Sequence, residues 1–172
     1  MRKLVPCFCI LLFCAVTGLS QAQDYPNWDF TAAYVYNDLE TPAPQTRTQL
    51  HGGSGAIAWN FRRYAALEGD VTYTRGNSRS LWSYTAGPRF TARGSFAQPF
   101  VHALFGGGHL SGFGSSTNGW VGKMGGGLDL VANKHVAIRA FEFDYYRYHG
   151  NTSGVGRQRL DNFTLSLGIR LF

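Results

Sequence analysis

From Trp28 to Phe172, polar and apolar side chains alternate with a period of two, interrupted at intervals by Gly, Pro, Asn and Ser clusters. That period is the period of β-strands, whose successive side chains point to opposite faces. Eight strands are expected: Trp28–Tyr36, His51–Phe61, Tyr64–Thr74, Leu81–Ala92, Pro99–Leu110, Trp120–Ala132, Val136–Tyr148 and Leu160–Phe172. Each is about as long as the roughly 9–11 residues a tilted strand needs to cross a bilayer. The first, third, fifth and seventh connections are long or flexible (Asn37–Leu50, Arg75–Ser80, Ser111–Gly119, His149–Arg159), and the others are short (Arg62–Arg63, Arg93–Gln98, Asn133–His135). In an up-and-down sheet this alternation gathers the long links at one end, the loop end, and the short ones at the other, the turn end. Membrane barrels show that asymmetry. The expected fold is therefore all-β: an eight-stranded antiparallel up-and-down transmembrane barrel.

The aromatic residues fall where such a barrel needs them. Trp28 opens the first strand and Trp59 closes the second at the turn end, while Trp82 and Trp120 open the fourth and sixth at the loop end. Amphipathic rings favour headgroup depth, so the four tryptophans mark two girdles, joined by Tyr34, Tyr36, Tyr73, Tyr145, Tyr146 and Tyr148 above and by Phe61, Tyr64, Phe90 and Phe100 below.

In lipid the usual polarity inverts, with apolar side chains outside and polar ones within. In the third strand Glu68, Asp70, Thr72 and Thr74 oppose Leu67, Gly69, Val71 and Tyr73. In the fourth, Ser83, Thr85, Gly87, Arg89 and Thr91 oppose Trp82, Tyr84, Ala86, Pro88 and Phe90. An eight-stranded barrel is just wide enough for its own side chains to fill, so interior charges must pair. Glu68 with Arg89, and Asp129 with Arg139, lie at matching heights and are expected as interior ion pairs. Asp70, His102, Lys123, Glu142 and Asp144 are further candidates for the lumen. Arg139 is out of phase with Glu142 and Asp144. A β-bulge between residues 139 and 142 returns all three to the lumen; without one, Arg139 faces lipid near an interface.

Ahead of the strands, Arg2 and Lys3 precede an apolar run, Leu4–Val16, and the small residues Ser20 and Ala22. This is the layout of a cleaved secretory signal peptide over residues 1–22, leaving residues 23–172 as one barrel domain. Its removal takes away Cys7, Cys9 and Cys14, so no disulfide or thiolate site is expected. It also takes the 16 basic residues to 14 against 10 acidic, a net of +4. With no basic run, that surplus suits anionic lipid headgroups and not nucleic acid.

No catalytic, cofactor or metal set emerges. Gly106-Gly107-Gly108 and Gly125-Gly126-Gly127 precede no helical pattern, and no G-x-x-x-x-G-K-[ST] occurs, so these glycines are expected to permit bending and close approach. His51, His102, His109, His135 and His149 show no metal-ligand spacing.

The chain resembles the small outer-membrane β-barrel superfamily that includes OmpX, the opacity proteins and the OmpA transmembrane domain. The carriers are Tyr84-Thr85-Ala86-Gly87-Pro88-Arg89-Phe90, Pro99-Phe100-Val101-His102-Ala103, Gly125-Gly126-Gly127-Leu128-Asp129, Arg139 with Asp144-Tyr145, and Leu165-Ser166-Leu167-Gly168-Ile169-Arg170-Leu171-Phe172. The resemblance implies an outer-membrane location in a Gram-negative-type bacterium and recognition of Phe172 by the barrel-assembly machinery. One departure stands out: Arg170 occupies the slot where the family places an apolar residue in phase with the terminal aromatic. The outward set is then expected to be Phe163, Leu165, Leu167, Ile169 and Leu171, with Phe172 turned at the interface. A second departure concerns outer-membrane lipid A deacylases, whose H-x-S-N pattern is not matched by His149-Gly150-Asn151-Thr152-Ser153.

The expected role is non-enzymatic, structural or surface-interacting, with the loops meeting an unknown surface ligand and membrane lipids surrounding the barrel. A narrow transport pore and a membrane-embedded lipid hydrolase are the alternatives.

Overall fold

The computed structural model describes residues 25–40, 47–76, 79–112, 115–152 and 156–172, so the expected signal peptide lies outside the described residues. Eight strands follow in chain order: β1 (Trp28–Glu40), β2 (Arg47–Asn60), β3 (Ala65–Gly76), β4 (Arg79–Thr91), β5 (Ala97–Gly112), β6 (Ser115–Val131), β7 (Val136–Thr152) and β8 (Gly156–Leu171). Each pairs antiparallel with its chain neighbour, and β1 closes on β8 from Phe30↔Leu171 to Asp38↔Phe163. Closure leaves no sheet edge, which is the condition for a β-structure to sit in hydrocarbon without unpaired backbone groups.

The strands run further toward the loop end than alternation alone indicates. Within the expected connections Arg75–Ser80 and Ser111–Gly119 the described residues are strand, and pairing continues to Gly76↔Arg79 and Gly112↔Ser115. The reason is physical. Above the membrane a ribbon wet on both faces needs no apolar face, so its Gly, Ser and Asn residues read as loop while its ladder hydrogen bonds persist. At the turn end the hairpins are tight: Arg62 and Ala65 exchange backbone hydrogen bonds at 3.1 and 3.3 Å, and Asn133 N donates to Val136 O at 3.1 Å.

The radial polarity is inverted. Outside lie Phe30, Ile57, Leu67, Val71, Tyr84, Val101, Phe105, Met124, Phe143, Leu165, Leu167 and Ile169, each exposed, while inside lie Asp29, Glu68, Asp70, Arg89, His102, Lys123, Asp129, Arg139, Glu142, Asp144 and Arg170, each buried. A protein in water would reverse these two sets. All four tryptophans face outward. Trp28 stacks on Trp59 across β1–β2 at 6.3 Å, Trp82 meets Tyr73 at 4.7 Å, and Trp120 lies on His149 at 4.5 Å. The rings therefore form a band at each end. Three of the expected girdle residues sit elsewhere: Tyr146 and Tyr148 are buried in the lumen, and so is Phe100 at the turn end. Each shares the inward parity of its strand, with Asp144 or with His102.

Two irregularities set the phase of β7. The register shifts at Leu128/Asp129 against β6 and between Arg139 and Glu142 against β8. This bulge turns Arg139 and Glu142 to the same, inward face. In β8 the outward set is the Leu171 series, and Arg170 is fully buried inside.

Candidate functional site

In the lumen ionisable groups from seven of the eight strands converge, and they converge in a closed circuit. On β3 and β4, Arg89 Nη1 donates to Glu68 Oε2 at 2.8 Å, and Arg89 Nη2 reaches across to Asp29 on β1, also at 2.8 Å. Asp29 receives Arg170 Nη2 from β8 at 2.7 Å, and Arg170 Nη1 meets Asp129 on β6 at 3.1 Å. Asp129 accepts Arg139 Nε at 2.8 Å, and Arg139 Nη1 donates to Glu142. Lys123 Nζ then bridges Glu142 at 3.2 Å and Asp144 at 3.3 Å. His102 completes the circuit, with Nε2 at 2.8 Å from Asp144 and Nδ1 at 3.0 Å from Glu68. Acid and base alternate at every step.

His102 closes the circuit by spanning two strands it does not belong to. On its β6 side its rung partner is Gly125, which itself faces Asp144 on β7. A Cβ at Gly125 would overlap Asp144 Oδ1 and the Phe143 carbonyl. On the other side Glu68 pairs with Gly87, where a Cβ would overlap the Ala103 carbonyl. The two missing side chains open the gap through which β3, β5 and β7 touch. Carboxylates only accept, so each ring nitrogen must carry a proton to bond both, and the circuit is neutral with His102 as imidazolium. Asp70 hangs from this circuit, 3.5 Å from Lys123 Nζ and accepting from Thr72 Oγ1 at 2.9 Å.

Above the charges, toward the loop end, Leu50, Leu81, Val121, Tyr146 and Tyr148 form a buried apolar cluster with Leu110 packed against it. Tyr148 is tied down by its hydroxyl, which donates to Thr117 O at 2.8 Å. Between this cap and Lys123 lies a cavity of about 10 Å³ lined by Thr72, Ser83, Thr164 and Ser166 among others, room for roughly one water.

All the residues expected inside (Glu68, Asp70, Arg89, His102, Lys123, Asp129, Arg139, Glu142 and Asp144) face the lumen, and both expected pairs lie within hydrogen-bonding distance. They are parts of one circuit, however, and not isolated pairs. Two members, Asp29 and Arg170, are not among the residues expected inside. Asp29 shares the parity of Thr31, Val35 and Asn37 opposite Trp28 and Phe30, a signal present in the sequence. Arg170 carries a signal too, as the lone charge in the Phe163–Leu171 alternation.

His102, Glu142 and Asp144 bring ligand-type atoms within 4.8 Å of one another, the best-placed group for a metal ion among the described residues. Lys123 already contacts both carboxylates, and His102 gives both ring nitrogens to carboxylates, so a cation would have to displace partners already in place. At the loop end, His149 lies flat on the Trp120 ring, with planes 5° apart, and Ser153 lies outside the described residues.

A closed eight-stranded antiparallel barrel with an apolar exterior and a charge-filled, capped lumen defines the class: this is the fold of the small bacterial outer-membrane barrels. Two solved structures show the likeness. Neisserial surface protein A superposes with a TM-score of 0.67 at 12% identity, covering 85% of this chain and 97% of that one. Ail, the attachment invasion locus protein of Yersinia pestis, superposes with a TM-score of 0.52 at 18% identity, covering 83% of this chain and 97% of that one. At such identities the likeness is one of fold. No protein-family profile matches the sequence, and no curated protein matches it.

Proposed function

We propose that this protein is a non-enzymatic outer-membrane barrel whose working surface is the set of hairpins at the loop end, with the transmembrane part serving as a closed, rigid support. The observation that carries this reading is the filling of the lumen: among the described residues a neutral circuit of ion pairs lies below an apolar cap, and the cavity between them has room for about one water. Activity that passes through the barrel has no path there. What remains accessible is the exterior and the two ends. At the loop end the ribbons extend past the aromatic band, since β6 continues from Trp120 to Ser115 and β7 from His149 to Thr152. At strand rise and tilt, five such residues project on the order of 10 Å, as paired strands able to hold a fixed contact shape.

Absence of cysteine from residues 23–172 makes the topology directly testable. Ser116→Cys at the loop end should react with a membrane-impermeant maleimide in intact cells. Lys134→Cys at the turn end should react only after the outer membrane is permeabilised. Recovery of the protein in the soluble periplasm, or labelling in the reverse order, would overturn the reading. Trimming the β5–β6 hairpin to the height of Trp120 should abolish surface contact while leaving the folded barrel in the membrane.

A further inference from the structure

The turn-end mouth of the barrel is a different environment from the ring above it. Residues from before β1, from all three turns and from the end of β8 surround a cavity of about 320 Å³, lined by Tyr25, Arg63, Arg93, Gln98, Lys134 and Phe172 among others. Three of these are cationic, and no carboxylate side chain lines the cavity. The acids closest to it are the α-carboxylate of Phe172, which lines the cavity and leaves the three cations in excess, and Asp29, which is buried behind it and committed to Arg89 and Arg170.

Arg93 is held in place from three sides. Its Nε donates to Arg63 O at 2.7 Å, its Nη2 donates to Asn60 Oδ1 at 2.8 Å, and its guanidinium lies 5.4 Å from the centre of the Tyr25 ring. Asn60 is fixed in turn, donating to Asp29 Oδ2 at 2.8 Å and to Pro26 O at 3.0 Å. Of five guanidinium N–H groups, these bonds use two. Unlike Arg89, Arg139 and Arg170, Arg93 makes no salt bridge to a carboxylate among the described residues. Burial, and then repulsion from Arg170, bring its pKa down to about 10, as expected where positive charge outweighs its compensation.

We infer that this mouth is a binding site for a phosphate-type oxyanion, received by the free edge of Arg93 with Arg63 and Lys134 at its flanks. A tetrahedral oxyanion matches a guanidinium fork supported by further cations, which form charge-assisted hydrogen bonds to it. The rings of Tyr25 and Phe172 line the same cavity and would border the organic part of a phosphate ester. The phosphate can arrive as the headgroup of an anionic phospholipid in the turn-side leaflet or as a free ion, and the chemistry of capture is the same.

The test uses the full mature barrel and reads the side-chain Nε–Hε resonance of Arg93. In one arm the barrel sits in nonionic detergent and is titrated with inorganic phosphate at constant ionic strength. In the other it sits in nanodiscs of zwitterionic lipid with or without phosphatidylglycerol. A saturable shift in either arm is expected, and the arm in which it appears identifies the source. Arg63→Gln and Lys134→Gln, both at exposed turn positions, should each weaken it about tenfold, the loss expected for one charge-assisted contact. Arg75→Gln, at the loop end, should leave it unchanged. The site is refuted if neither arm saturates, or if Arg75→Gln weakens the response as much as Lys134→Gln does, since only a general ion atmosphere would then be present.

Discussion

Toward the turn end the lumen is filled by charged side chains held in directed bonds. A few rungs higher it is filled by Leu50, Leu81, Val121, Tyr146 and Tyr148, which touch without direction. Both fillings close the same barrel, but they do different work. The charged circuit draws a member from every strand except β2, whose Asn60 joins it through Asp29 on the neighbouring β1, and it ties the other seven strands to partners not adjacent to them. It also fixes register. A slip of one residue would turn these charges toward lipid, where an Arg or Lys at mid-depth costs about 2–4 kcal/mol. The apolar cap specifies less and tolerates more, as hydrophobic packing generally does when volume is kept.

That contrast is open to breakage. Arg139→Ala should have the largest effect, because it takes a shared partner from both Asp129 and Glu142 and cuts the circuit. Removing one member of a buried pair costs about 3–5 kcal/mol, to be read as a lower urea midpoint for the barrel folded in liposomes. Leu50→Ala should cost somewhat less, about 2–4 kcal/mol, from lost burial and the cavity left behind. Leu50→Met should then restore most of it, whereas Arg139→Lys should restore little, because a single ammonium cannot fork between two carboxylates. Equal rescue at both positions would erase the distinction between directed and undirected filling. The smallest effect belongs outside the lumen. Arg147 meets Asp161 at 2.8 Å, but both are about a third exposed, so Arg147→Ala should leave the urea midpoint unchanged in physiological salt.

The two halves were also unequally legible in the sequence. Alternation in β3, β4 and β6 exposes which residues face inward, because strands with one lipid face cannot hide their phase. The partners within the lumen are less legible. Asp29 meets Arg170 only once β1 closes on β8, and sequence spacing says nothing about contacts across that seam. Arg139 needs the bulge before Glu142 to reach the interior, and a bulge leaves no fixed residue signature in this stretch. Gly87 and Gly125 look like packing glycines in the sequence. Their role as gaps between Glu68, His102 and Asp144 depends on the register of five strands. At the loop end the strands outrun their apolar pattern because water, unlike lipid, does not demand one.

The claim on which the rest depends is that the lumen is shut. Single-channel recording of the purified full mature barrel in planar bilayers tests it directly. The charged circuit and apolar cap predict a flat trace at physiological salt, with no stable openings across the voltage range. Reproducible, ion-selective openings of the unmodified protein, shifting in selectivity when Lys123 or Glu142 is neutralised, would show that the lumen conducts and would contradict the account.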